Sequence, residues 1–384
     1  MGKLSFFVNF SLINIIIMSY RHIKTIFFIA TLGFVFSLFL AKTKTDEVKV
    51  ILSSKKALWS AIVIKKNDLT NNLEMYDQES GEAKYVFRIT IPLIMKVFGL
   101  SVFGMYLIQI LIGFFIFVLW VSILYEIIKD YWLLLALTLC LAGCYYGKAF
   151  NIDSGTVVNT MSYFLILFAI RFRNNIFLLA PALLLLFFND ERGILAFSII
   201  GLFILFFNKE KITQFKDAFN NSFITLLTCF VLGVLLRIYL MFVYKMKVPM
   251  GSIGFDVFQD QWKYLHLGLF SGISGFAILF FIQLKNEFKS KNFLFLCLNI
   301  SVIFIFIIGA SIVSDITKSI AYLTPLFLLM IWRMIDSKIE IKNFVYSILV
   351  INLFFPTIVV VGDKQFNYYN FSFDIIFKIH SIFI

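Results

Sequence analysis

Charge is what this sequence has least of. Only 15% of its 384 residues are Asp, Glu, Lys or Arg, against ~25% in a soluble domain. Together with 61% hydrophobic residues and a mean hydropathy of +0.93, that excludes a water-soluble fold. Cysteine and histidine are scarce too, at 4 and 3 residues. Cys140, Cys144, Cys229 and Cys297 fall inside apolar runs without metal-site spacing, so neither a zinc site nor a disulfide framework is indicated. His22, His266 and His380 are scattered, which leaves no Ser-His-Asp arrangement. No Walker loop, GxGxxG, HExxH or CxxC is present, so soluble cofactor chemistry has no foothold. The net charge of +12 would suggest nucleic acid as the partner of a soluble chain. Here it reads as loop charge that sets membrane topology, with no nucleic acid implied.

What is there is a series of apolar runs, and the fold class they predict is an all-α polytopic membrane protein of about ten to twelve transmembrane helices in one domain. The runs lie at about Thr25–Ala41, Val102–Leu124, Trp132–Tyr146, Val157–Arg171, Ile176–Phe188, Ile194–Phe207, Phe223–Tyr244, Leu267–Leu284, Phe293–Val313, Ile320–Ile335 and Phe344–Val361. Leu4–Tyr20 reads as an interfacial or extra spanning segment. One long polar stretch, residues 42–88, reads as a first external loop. Within it Val48–Ile64 places Ile51, Leu52, Leu58 and Ile62 at roughly helical spacing among lysines, the pattern of a basic helix lying in the interface. Lys66–Glu82 reads as surface loop.

The stretch Asn189-Asp190-Glu191-Arg192-Gly193 separates two runs that each fall short of ~20 residues. Its three consecutive ionisable residues cannot sit in hydrocarbon, where each costs at least ~2.5 kcal/mol. The two runs must meet at an aqueous surface or a water-filled cavity. If Arg21–Lys24 is cytoplasmic, strict alternation puts the lysine-rich connections near Lys129, Arg171 and Arg173, Lys209–Lys216, Lys285–Lys291 and Lys338–Lys342 on the cytoplasmic side. Asp46, Glu47, Arg88, Lys148–Asp153, Asn189–Arg192, Asp256–Lys263 and Ser314–Lys318 then share the external face.

These external clusters are the candidate site. Asp46, Glu47 and Asp190 are candidate catalytic carboxylates, because a hydroxyl acceptor needs a group to take its proton. Arg192, two residues from Asp190, alternatively holds it as a structural ion pair. Arg88, Lys148, Arg192 and Lys318, with the intramembrane Arg237, are candidate ligands of a donor phosphate. For Arg88 the plain alternative is snorkelling to headgroups; for Arg237 it is a structural ion pair. Tyr145–Asp153 reads as a polar loop whose Asn151 and Asp153 suit a carbohydrate. Asp315 and Tyr322 complete the candidate substrate set, with helix capping as the plain reading of Asp315.

An acidic pair outside the first span, a long external loop with an interfacial helix, and the segment Arg88-Ile-Thr-Ile-Pro92-Leu93-Ile-Met-Lys-Val-Phe98-Gly99-Leu-Ser101 together resemble the GT-C glycosyltransferases. That superfamily includes the protein O-mannosyltransferases and bacterial relatives acting on lipid A, glycans or proteins. The resemblance covers roughly residues 25–210. It implies a multi-pass protein of the bacterial plasma membrane and a polyprenyl-phosphate sugar donor bound at the external face. It also implies a glycan, lipid or protein acceptor, and a first-loop acidic residue acting as base or as a metal-associated carboxylate, which admits a divalent cation as cofactor. Two other readings stay open: a surface-polysaccharide polymerase or ligase, and a transporter or flippase of lipid-linked solutes.

Overall fold

The computed structural model describes residues 20–41, 57–76, 83–152, 154–207, 220–247, 254–290, 292–313, 315–355, 357–361 and 364–368. The chain is helical almost throughout, as the apolar runs predict. Among the described residues six helical stretches are long and apolar enough to cross a membrane, and a seventh arises if one bent pair counts as a single span. They include α1 (Tyr20–Leu40), α4 (Val102–Ile127), α10 (Asn221–Val243) and α14 (Phe293–Ser311). The polytopic membrane class follows from these helices.

Between α1 and α4 lie α2 (Ala57–Asn67) and α3 (Thr90–Val97). Gly99 turns the chain from α3 into α4 with φ +64°, a backbone that favours glycine. Ser101 then caps α4 by accepting from Gly104 N at 3.1 Å. Of the segment Val48–Ile64, the described part belongs to α2. Trp59, Ala61, Ile62 and Lys65 of α2 are buried, and the helix packs on α3 because its apolar residues find protein to cover them. Lys65 donates to Leu69 O and to Asn71 O, the latter at 3.1 Å. Burial lowers its ammonium pKa to about 8.

The bent pair is α5 (Tyr131–Gly143) and α6 (Tyr145–Ile152), which meet at 51°. Residues 145–152 are therefore a buried helix and not the polar loop the sequence suggests. α7 (Val157–Arg171), α8 (Ile176–Phe187) and α9 (Glu191–Phe206) follow. α8 is only 12 residues long, about 18 Å at 1.5 Å per residue. The next stretch is broken into α11 (Phe255–Gln261), α12 (Leu265–Ile273) and α13 (Ala277–Lys289), and the one after α14 into α15 (Ile316–Ala321) and α16 (Leu326–Asp336).

The last apolar run forms α17 (Lys342–Phe354), shorter than the Phe344–Val361 span expected. Phe355 is extended, as a residue before proline prefers, and the chain continues into an antiparallel hairpin of β1 (Thr357–Val361) and β2 (Lys364–Tyr368). β1 rests on α12 and α15. Thr317 Oγ1 donates to Ile358 O at 2.9 Å and accepts from Val360 N at 3.2 Å.

The ion pairs gather at two ends of the bundle. At one end Glu126 pairs with Arg171 at 2.8 Å. Glu287 pairs there with Arg333 at 2.9 Å, while Arg173 lies over Phe207 and Phe207 against Trp332. At the other end lies the cluster around Asp190.

Candidate functional site

The break between α8 and α9 is built to hold charge. Asn189 is buried and donates to Val158 O at 2.6 Å and Ser162 Oγ at 2.7 Å, both on α7. Asp190 caps α9, its carboxylate accepting from Arg192 N at 3.2 Å, a favourable place for an anion. Gly193 lets α9 pass close to α8, since a Cβ there would lie 2.6 Å from Leu186 O.

The connection before α3 is stitched to the same break. Ile89 N donates to Phe188 O at 2.8 Å, and Thr90 Oγ1 donates to Leu185 O at 2.7 Å. Those bonds carry Arg88 to the break, where it pairs with Glu191 at 2.8 Å and approaches Asp190 at 3.7 Å. Arg192 clasps Asp190 at 2.6 Å and also donates to Asn159 Oδ1 at 3.0 Å. Tyr322 donates to the same Asp190 carboxylate at 3.0 Å. Arg237 reaches Glu191 at 3.6 Å, with its guanidinium 4.8 Å from the ring centre of Phe87. Asp315 pairs with Lys318 at 3.2 Å.

Burial alone would raise the Asp190 carboxyl pKa; Arg192 and Arg88 outweigh it and hold the group well below the usual carboxylate range. Asp315 is partly buried, yet Lys318 and Arg192 keep its pKa depressed. The Lys84 ammonium is lowered by burial, with Asp315 opposing. Lys84 shares the field of Asp315, Arg88, Arg192 and Glu191, so it belongs to the cluster. Among the described residues, the cations Lys84, Arg88, Arg192, Arg237 and Lys318 face the carboxylates Asp190, Glu191 and Asp315.

The cluster is sunk below the end of the bundle. Arg237 sits six residues before the last residue of α10, about 9 Å along the helix axis. Stacked Tyr146 and Tyr163, 4.2 Å apart, and the edge-on Tyr322, 5.0 Å from Tyr163, flank it. Tyr163 also donates to Lys318 O at 2.9 Å, tying α7 to α15.

Seven residues expected at the site thus come together from distant parts of the chain: Arg88, Asp190, Arg192, Arg237, Asp315, Lys318 and Tyr322. Two do not join them. Lys148 is buried on α6 and donates to Thr357 Oγ1, and Asn151 donates to Ala41 O at the end of α1. Both hold residues 145–152, a buried helix, to neighbouring segments. Asp46, Glu47 and Asp153 lie outside the described residues. Glu191, Lys84 and Asn159 are the additions. Lys84 had a signal, standing four residues before Arg88, whereas nothing local marks Asn159.

Among the described residues no three His, Cys, Asp or Glu side chains gather as a metal site. Asp190 and Asp315 are each taken up by cations of the chain. This part of the site does not fit a divalent cation, and no chemical step is drawn through one. No protein-family model matches the chain, and no curated protein or solved structure is significantly similar to it.

Proposed function

We propose that the chain is a glycosyltransferase of GT-C type, moving a sugar from a polyprenyl-phosphate donor to a glycan, lipid or protein acceptor. In this reading the shorter apolar helices cross as well, giving ten to twelve spans in a bacterial plasma membrane. The cluster around Asp190 opens on the external face, and the product serves the cell envelope or a surface polysaccharide. The observation that carries the reading is the sunken cluster in which Arg88, Arg192, Arg237 and Lys318 converge from distant parts of the chain. A phosphate attached to a lipid tail meets these cations without its tail leaving the bilayer. Cations aimed at a leaving phosphate are what glycosyl transfer from such a donor requires.

The acceptor hydroxyl oxygen attacks the anomeric carbon and gives its proton to a carboxylate. The anomeric carbon–oxygen bond breaks, and its electron pair stays on the phosphate, held by Arg88, Arg192, Arg237, Lys84 and Lys318. Asp190 serves as the fixed anion that orients the arginines, since a carboxylate so firmly ionised is a poor proton acceptor. Asp46 or Glu47 is the proposed base. Ala41 is held against α6 by Asn151, and Asp46 follows five residues later, within about 17 Å of extended chain.

The test is transfer from polyprenyl-phosphate-linked sugars by the full chain in proteoliposomes, read as glycosylated acceptor and released polyprenyl phosphate. Arg88→Met is expected to abolish transfer. Movement of lipid-linked solute across the bilayer with no polyprenyl phosphate released from any donor would replace the enzyme reading with a transporter.

A further inference from the structure

Two acidic residues stand side by side where α9 begins, and they are held in opposite ways. Asp190 is wholly buried, taken by Arg192 at 2.6 Å and by Tyr322 at 3.0 Å. Glu191, the first residue of α9, leaves 41% of its side chain exposed. Among the described residues its carboxylate accepts hydrogen bonds from Arg88 alone. Arg88 Nε at 3.1 Å and Nη2 at 2.8 Å both donate to the single oxygen Oε2. The other oxygen, Oε1, lies 3.6 Å from Arg237, beyond hydrogen-bond length.

Arg237 is correspondingly under-served. Its guanidinium lies 4.8 Å from the ring centre of Phe87 and 5.8 Å from that of Phe187. Its Nε is buried with no hydrogen-bond partner. Leu236, Ile238 and Tyr239 beside it are exposed, and α10 is one of the helices able to cross a membrane. Arg237 therefore borders the bilayer as well as the cluster.

A planar carboxylate on a short tether spans Arg88 and Arg237 badly. A phosphate carries oxygens on every side, so it accepts the fork of one arginine and still reaches a second. An ion pair as exposed as that of Glu191 is weak, and the carboxylate regains water when it leaves. Arg88 keeps Asp190 at 3.7 Å throughout, so the exchange does not strip it of its anion.

We propose that Glu191 is a displaceable internal anion, which occupies Arg88 and Arg237 until a phosphate borne on a membrane lipid takes its place. The inference rests on reading the cluster as a lipid-phosphate site, and it adds the residue that sets the affinity of that site. The backbone of α9 stays where it is while the Glu191 side chain swings toward water. The phosphate oxygens then take over Arg88 Nε and Nη2 and the under-served Arg237. A phosphate without a lipid tail has the same chemistry but no hold on the flank of α10, and binds more weakly.

Thermal unfolding of the full chain in detergent micelles tests this, titrated with farnesyl phosphate. Farnesol serves as the uncharged tail and inorganic phosphate as the tailless anion. Farnesyl phosphate is expected to raise Tm saturably, and the other two to do so at least tenfold more weakly. Glu191→Gln is expected to lower the half-saturating concentration at least tenfold. Infrared difference spectra on adding farnesyl phosphate separate displacement from simple repulsion. A change in carboxylate stretching is expected in the wild type and should be missing from Glu191→Gln. Glu191→Asp, which draws the charge back from Arg88 by one methylene, provides the same titration should Glu191→Gln not fold. No response to farnesyl phosphate in either protein would remove the lipid-phosphate site and the inference with it. Saturable binding to the wild type with an equal or weaker response in Glu191→Gln would overturn the displacement alone, as would equal carboxylate signals in both proteins. An inorganic phosphate response matching that of farnesyl phosphate would overturn the lipid as the source.

Discussion

Asp190 and Asp46 are both candidate bases, and the surroundings of Asp190 argue against it in that role. Asp190 accepts from Arg192 and Tyr322 and faces Arg88, all within a buried cluster. Replacing it with Asn leaves Arg192 buried without its anion, a change that costs ~3–5 kcal/mol. Asp190→Asn should therefore lower both membrane abundance and thermal stability, measured by detergent-extracted yield and unfolding temperature. Asp46→Asn should keep wild-type abundance and lower transfer by ~10²–10⁴-fold, the usual cost of a lost general base. An abundant but inactive Asp190→Asn beside a fully active Asp46→Asn would move the base to the break. The pH dependence follows from the depressed Asp190 carboxyl. Its folded pKa lies below the unfolded value of ~3.9, so its stabilisation is complete above that value and is lost as pH falls through the folded one. Unfolding scans should show no Asp190-dependent change between pH 5 and 8 and a loss only in stronger acid. At this scale the pairing of Asp190 with Arg192 was legible from a spacing of two residues. The contacts with Arg88 and Tyr322 were not, because they join positions more than a hundred residues apart through packing that has no local signature.

Elements explain why the site is where it is. α8 ends after 12 residues, well short of the ~30 Å hydrocarbon thickness, so the Asn189–Arg192 break is drawn inward and not left at the rim. Its brevity was readable in the sequence as an apolar run cut off by three charges. The Phe98–Ser101 turn was equally readable, since a glycine at positive φ and a serine cap are local requirements. The bend at Cys144 and the switch to β1 after Phe355 were less so. α6 keeps polar Lys148 and Asn151 inside with partners at Thr357 and Ala41, which a local pattern does not contain. The loop from Asp68 to Tyr76 lies at the Asp190 end, its Asn72 donating to Tyr244 O at the end of α10 at 3.5 Å. The connection after α16 lies at the other end, where Asn286 donates to Ser337 at 3.3 Å. In a Cys297→Ser background, cysteine placed at Glu74 should react with an impermeant thiol reagent added to intact cells, while cysteine at Ser337 should not. The reverse pattern would turn the Asp190 cluster toward the cytoplasm and remove the external donor from the proposal.

For the molecule as a whole, charge sorts into two layers, one around Asp190 and one around Glu126 and Glu287. The alternation of lysine-rich and acid-bearing connections anticipated that sorting, because topology charges act through the bilayer and not through tertiary packing. What alternation does not reveal is that the Asp190 layer closes into one cluster of interleaved cations and carboxylates. The place of Arg237 in that cluster decides how the protein should respond to losing it. The side chain stands about 9 Å below the end of α10, touches the half-exposed Glu191 and leans on Phe87. Under the proposed function it would hold the phosphate before and after transfer alike. A contact made equally in ground and transition states lowers KM without raising kcat. Arg237→Met should therefore raise the apparent KM for the polyprenyl-phosphate donor by about tenfold, the loss of roughly 1.4 kcal/mol of binding, and leave kcat within about twofold of wild type. Arg237→Lys should recover part of the affinity, since a phosphate accepts a point charge as well as a guanidinium. Steady-state kinetics in proteoliposomes of matched protein content separate the outcomes. A fall in kcat with unchanged KM would mean that Arg237 acts only as charge develops on the departing phosphate, placing the reacting bond at the depth of α10 and not at its rim.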